Sequence, residues 1–154
     1  MEGLINFIPS VIIGGLIYLI TKQTKMNKFR KPVPGRLTSP FGNRINPVTD
    51  EKQFHNGVDL AAPIGTPVLC PAAGKVTNVY TNDIGGLQLI ITHANGWRTG
   101  YAHLSKVNVK EGATVKDGQI VALTGDTGRG TGPHLHFTLT NSANTKVNPI
   151  DYFL

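Results

Sequence analysis

Cysteine is almost missing from this chain: Cys70 is the single thiol in 154 residues. No intramolecular disulfide can form, and no cysteine cluster can hold a metal. Its flanks, "VLCPAAG", are apolar, so the thiol is expected to be buried and inert rather than nucleophilic. Acid is also scarce, with nine Asp and Glu against fifteen Lys and Arg. That imbalance is local. Residues 1–31 carry five bases and one acid, whereas residues 32–154 carry ten bases and eight acids. The excess sits in "KQTKMNKFRK", beside an apolar segment, which suits lipid headgroups better than phosphodiesters. The remainder shows no arginine-rich stripe with interleaved aromatics, so nucleic acid is not an expected partner. No fixed-period repeat, no HExxH motif and no helical period after residue 31 are present.

One long apolar run stands out. Residues 3–21, "GLINFIPSVIIGGLIYLIT", contain no charge, and as a helix residues 3–20 would be roughly 27 Å long, near the hydrocarbon thickness of a bilayer. Only Met1 and Glu2 precede the run, and no A-x-A site follows it, so an uncleaved transmembrane anchor is expected over residues 1–21 rather than a signal peptide. Lys22, Lys25, Lys28, Arg30 and Lys31 all lie on its C-terminal side, which the positive-inside rule assigns to the cytoplasm. Residues 22–35 read as a basic juxtamembrane segment and a proline-containing linker, with the globular domain over 36–154.

What is abundant is turn chemistry, with 18 glycines and 10 prolines. Short β-type runs such as "GKVTNVYT", "LQLIITH", "RTGYAHL" and "HLHFTLT" alternate with Gly, Asn and Asp clusters. That pattern predicts an all-β domain, a small antiparallel sheet or sandwich. In "GPHLHF", strand alternation puts His134 and His136 on one face and Leu135 and Phe137 on the other, toward a core. Two imidazoles on one patch suggest a metal, a proton-transfer pair, or both; the plain alternative is an exposed strand face. Upstream, "HNGVD" places His55 and Asp59 four apart with Gly57 between, which disfavours a helical metal pair but allows both side chains to reach one ion. Zinc accepts imidazole nitrogen and carboxylate oxygen, and three protein ligands leave a fourth position open for water. His55, Asp59 and one histidine of the "HLH" strand would fill three positions.

"HNGVD", "YAHL" and "TGPHLHF", with "SPFGNR", "APIGTPV", "AAGKV" and "VNP", resemble the lysostaphin/LytM-type zinc metallopeptidases that cut peptidoglycan cross-bridge peptides. The resemblance covers about residues 36–150. It implies the lysostaphin-like (duplicated hybrid motif) fold, one Zn²⁺ per chain held by His55, Asp59 and His136, and catalytic roles for His103 and His134. It also implies bacterial peptidoglycan as the partner. Gly86-Leu87 and Cys70 depart from the common family pattern without touching these positions. His93, in "ITHANG", reads as a strand-end or turn histidine.

The leading expectation is therefore a single-pass, membrane-anchored zinc endopeptidase of peptidoglycan, in a bacterial envelope or in the internal membrane of a phage virion. The alternative is an inactive relative that binds the cell wall or regulates an amidase. Such a protein is expected to lose ligands, and all five inferred positions are kept.

Overall fold

The computed structural model describes residues 28–46 and 49–154. The expected anchor lies outside them. Among the described residues no helix is long and apolar enough to cross a membrane, and the helical segments are single 3₁₀ turns, Ala94–Gly96 and Pro149–Tyr152.

The architecture is antiparallel β throughout its ladders, as the turn-rich composition predicts. The strands are β1 (Leu37–Ser39), β2 (Gly42–Ile45), β3 (Lys52–His55), β4 (Val58–Ala61), β5 (Pro67–Leu69), β6 (Gly74–Asn82), β7 (Gly86–His93), β8 (Arg98–Val107), β9 (Thr114–Val115), β10 (Ile120–Thr124), β11 (His134–Thr140) and β12 (Lys146–Val147). The main sheet runs β1-β4-β11-β8-β7-β6-β9, with β12 added to β11, and β10 joining β8 to β5; β2 and β3 form a separate ribbon.

Alternation along β11 is as the sequence predicts. Leu135, Phe137 and Leu139 are fully buried, the first two packing in a core with Val58, Leu60, Leu89 and Tyr101. Cys70 is buried in the same core, where loss of hydration pushes its thiol pKa up to about 11. His93 ends β7 as a structural group. Its Nδ1–H donates to the Ala73 carbonyl (3.0 Å) and its Nε2 pairs with the Thr99 hydroxyl (2.7 Å), which in turn contacts the Tyr101 hydroxyl (2.8 Å). Burial lowers the His93 pKa, favouring the neutral ring that this chain of bonds requires.

The linker expected up to residue 35 is packed against the domain from Phe29 onward. Phe29 and Val33 are buried. Phe29 N–H donates to Tyr152 O and Leu154 N–H to Phe29 O, while the Phe29 ring meets His93 and Trp97. Two apolar side chains within a charged, proline-containing stretch found a place on the core, which a reading of that stretch as spacer does not anticipate.

One irregularity positions the functional site. The first half of β8 pairs with β11, ending at Ala102 opposite His136, and the second half pairs with β10, starting at Leu104 opposite Thr124. The switch falls on His103, whose φ is 60°. A non-glycine residue in the left-handed region is strained, and at a β-bulge it re-aims its side chain.

Candidate metal centre and its flanking histidines

Strand register brings the site together. His136 on β11 lies opposite Asp59 on β4, and on its other side opposite Ala102, the neighbour of His103. The β2–β3 ribbon delivers His55 at its end, opposite Gly42. Gly57 makes the approach possible: a Cβ there would fall 2.4 Å from Phe137 O and 3.0 Å from His136 Cε1. Only a bare backbone passes so close to β11.

His55 Nε2, Asp59 Oδ1 and His136 Nδ1 converge. The separations are 3.1 Å between the two nitrogens, 3.2 Å from His55 to Asp59, and 2.8 Å from His136 to Asp59. In a tetrahedral zinc site with bonds near 2.0–2.1 Å, ligand atoms lie roughly 3.3–3.4 Å apart. The triangle is slightly tighter than that, so small outward shifts of three side chains would accept the ion. The donor set suits zinc, and among the described residues this is the group of acids and imidazoles that could hold a metal.

Neighbouring groups fix which atom each ligand presents. His55 Nδ1–H donates to Pro40 O (2.7 Å), leaving Nε2 for the centre. His136 is turned the other way: its Nε2–H donates to Asn56 Oδ1 (3.1 Å), leaving Nδ1 inward. Arg44 contacts the outer oxygen of Asp59 (Nη1–Oδ2 3.4 Å) and the Ser39 hydroxyl. Burial alone would raise the Asp59 pKa. With no ion between them, protonated His136 and His55 rings would outweigh it by hydrogen bonds and charge and hold the carboxyl well below its usual range. The ion's charge takes over that role when it is bound. Such outer partners set ligand orientation and basicity.

His103 and His134 stand beside this triangle with ring centroids 4.7 Å apart. Each gives its Nδ1–H to a backbone carbonyl, His103 to Thr127 O and His134 to Gly132 O, both at 2.7 Å. Their Nε2 atoms are thereby free to exchange protons; that of His134 lies 3.8 Å from Asp59 Oδ1. Burial lowers the His103 pKa, with the nearby His134 and His136 adding to the effect. The Gly85–Gly86 turn braces this corner: Gly85 O accepts from His103 N–H, and Leu87 N–H donates to the hydroxyl of Thr127. Gly86 (φ 61°) lies against Thr127 with no room for a side chain. The centre is open on both flanks, to a cleft of about 570 Å³ beside Arg44, Asp59 and His134, and to a groove of about 270 Å³ beside His136.

All five side chains named from the sequence therefore meet at one place. Arg44, Asn56 and the carbonyls of Pro40, Thr127 and Gly132 were not identified as parts of it. Arg44 lies in "SPFGNR" and Asn56 in "HNGVD", but an outer partner has no spacing rule of its own, and a backbone carbonyl leaves no mark in the sequence.

A β framework that converges His, Asp and His on one point and backs them with two further imidazoles has the parts of a metal centre suited to hydrolysis. The model of peptidase family M23 matches residues 53–149, and the chain belongs to this family of zinc metallopeptidases. It is 46% identical over 105 residues to the peptidoglycan DD-endopeptidase ShyA of Vibrio cholerae, covering 68% of this chain and 24% of that protein. The fold superposes on a zinc-containing peptidase from Vibrio cholerae with a TM-score of 0.74 and 43% identity, covering 80% of this chain and 39% of that one. It also matches the catalytic domain of lysostaphin from Staphylococcus simulans (TM-score 0.69, 35% identity, 77% of this chain and 91% of that one). The chain spans about a quarter of the length of the curated relatives it matches.

Proposed function

We propose that this chain is a membrane-anchored zinc endopeptidase that cuts peptide cross-links of bacterial peptidoglycan. The observation that carries the reading is the pairing of a His-Asp-His triangle with two imidazoles whose Nε2 atoms are free beside it. Held by His55, Asp59 and His136, zinc would supply Lewis acidity at the scissile carbonyl and lower the pKa of the attacking water. Proton movements fall to His103 and His134. Their Nδ1–H bonds to backbone carbonyls hold each ring in the tautomer whose Nε2 accepts. Burial keeps His103 neutral at lower pH than an ordinary histidine, which suits it to take a proton from water. The imidazolium so formed, or its neighbour, can then donate to the leaving amine. An inactive, purely binding relative has no matching observation, since every one of the five side chains is present and convergent.

The apolar run at residues 3–21 supports the anchor, and the basic residues that follow it support a domain on the cytoplasmic side. A cell-wall hydrolase so oriented would reach its substrate when carried in the internal membrane of a virion; a bacterial envelope protein would instead face outward. Protease accessibility in spheroplasts and co-purification with virions separate the two settings.

The activity is tested with the full chain in detergent micelles, zinc-loaded, on purified peptidoglycans with glycine bridges and with direct cross-links. Mass analysis of the released muropeptides should show scission at a peptide bond, abolished by chelation and restored by zinc. Intact cross-links in both substrates would overturn the reading.

A further inference from the structure

The groove on the His136 side of the centre holds two cations, Arg98 and Lys146, with no acid paired to either among the described residues. On β11, His136, Thr138 and Thr140 share one face by alternation. Thr140 is the cross-strand partner of Arg98 on β8 and also of Lys146 on β12, so both basic residues belong to the same face as His136. Lys146 is an exposed residue of β12, and its ammonium reaches the Thr138 hydroxyl (3.1 Å). Arg98 is tethered by Asn144, in the β11–β12 turn, through an Nη2–Oδ1 hydrogen bond. Gly100, opposite Thr138, keeps the floor clear, because a Cβ there would strike the Thr138 hydroxyl at 2.5 Å. His136, Arg98 and Lys146 all line one continuous groove.

Among the described residues, neither Arg98 nor Lys146 has a carboxylate within 4.0 Å; the ion pairs there are those of Arg30 with Asp117 and of Asp59 with Arg44 and the histidines. Partial burial and the charge of Arg98 lower the Lys146 pKa. Two like charges lining one groove without a paired counter-charge repel each other in the free protein and are relieved once an anion arrives.

We propose that Arg98 and Lys146 form a subsite for a carboxylate of the cross-linked peptide, borne about two residues from the bond that is cut. The distance follows from the strand. The Lys146 ammonium sits at Thr138, two residues beyond His136 and roughly 6.6–6.8 Å along β11. An extended peptide covers that span in about two residues at ~3.3–3.6 Å each, and Arg98, opposite Thr140, closes the far side of the subsite. This deepens the proposed function, on which it rests. It names a stem peptide with a free carboxylate, rather than an uncharged glycine bridge, as the preferred substrate.

The test uses the zinc-loaded full chain in micelles and two synthetic cross-linked stem peptides, identical except that the carboxylates flanking the scissile bond are free in one and amidated in the other. Cleavage (kcat/KM) is measured for both, and binding of both to the His134→Ala chain by calorimetry. A charge-assisted contact predicts a preference for the free carboxylate of roughly 10- to 100-fold. Arg98→Gln and Lys146→Met should each shrink that ratio, in cleavage and in binding, and the double variant should bring it near one. Arg98→Lys, which keeps the charge, should retain most of it, as should Lys116→Gln on an exposed turn. Cleavage of both peptides with equal efficiency would overturn the subsite and leave the peptidase reading standing. No cleavage of either, with a binding preference that the two variants erase, would overturn the peptidase reading and support the subsite. No cleavage and no preference would overturn both.

Discussion

His134 and His136 sit on the same face of β11, one residue apart, yet turn different nitrogens toward the centre. His134 gives Nδ1–H to Gly132 O and leaves Nε2 free. His136 gives Nε2–H to Asn56 Oδ1 and presents Nδ1 to Asp59 at 2.8 Å. His136 Nδ1 converges with His55 Nε2 and Asp59 Oδ1 on one point, and His134 stands outside that group, its Nε2 3.8 Å from Asp59 Oδ1. Position relative to that group divides ligand from proton carrier, and the tautomer sets which nitrogen each ring uses.

Substitution should expose that division. His136→Ala, His55→Ala and Asp59→Ala should each empty the metal site, as read by elemental analysis of protein purified without chelator. His134→Ala should retain about one zinc per chain, the stoichiometry of a single three-ligand site. His93→Ala should also retain it, though with a weakened core. Equal zinc loss from His134→Ala and His136→Ala, with circular dichroism unchanged, would make His134 a ligand.

Catalysis should separate from metal content at His103 and His134. Either alanine variant should lose about 10²–10⁴-fold in turnover with zinc still bound, the usual contribution of a positioned proton-transfer group. The double variant should lose far less than the product of the two, because both serve one transition state. Fully multiplicative losses would mean the two rings act in independent steps.

The outer partner of His136 should be felt in affinity. Asn56→Ala removes the acceptor that selects the Nδ1-inward tautomer, and loss of such a partner typically costs ~10–100-fold in metal binding. Competition against a chromophoric chelator measures this, and added zinc should restore much of the activity. Unchanged affinity would show that the Asn56 contact is incidental.

Gly57→Ala should damage stability and site together. The new methyl group would meet Phe137 O and the His136 ring, and overpacking of this kind costs about 1–3 kcal/mol. A lower urea midpoint should appear alongside weaker zinc binding. A variant with lowered stability but wild-type zinc affinity would show that β11 yields without moving His136.

Acid should weaken the fold partly through His93. Its pKa in the folded chain lies below the ordinary 6.5 because burial disfavours the charged ring. Above pH 6.5 the ring is neutral folded or unfolded, and its hydrogen bonds contribute fully. As pH falls below 6.5 the unfolded chain takes up a proton that the folded chain resists, so stability drops until the folded value is passed. His93→Gln should be less stable at neutral pH but lose less between pH 7 and 5.5, by thermal melts on matched samples. Parallel pH profiles for the two proteins would assign the acid sensitivity elsewhere.

The β class, the buried face of β11, the inert Cys70 and all five histidine and aspartate positions were legible in the linear chain. The class and the buried face rest on short-range rules: alternation along a strand, turn residues at fixed offsets and apolar flanks. His103 and the division of roles among the site residues were implied only by the resemblance of short motifs to a known family. The docking of Phe29 and Val33 was not legible, because a side chain in a polar stretch becomes core only when a distant surface is there to receive it. Nor was the choice of ring nitrogen at His103, His134 and His136. At His103 and His136 that choice is made by the Thr127 carbonyl and the Asn56 amide, brought alongside by the fold from far along the chain. At His134 it is made by the Gly132 carbonyl two residues back, whose direction the turn before β11 sets. The kink at His103 has the same origin, since its left-handed φ is imposed where β8 exchanges one partner strand for another. Residue types with metal and proton chemistry are written in the sequence; which atom of each faces the centre is decided by the tertiary hydrogen bonds, which bind only the tautomer and rotamer that satisfy them.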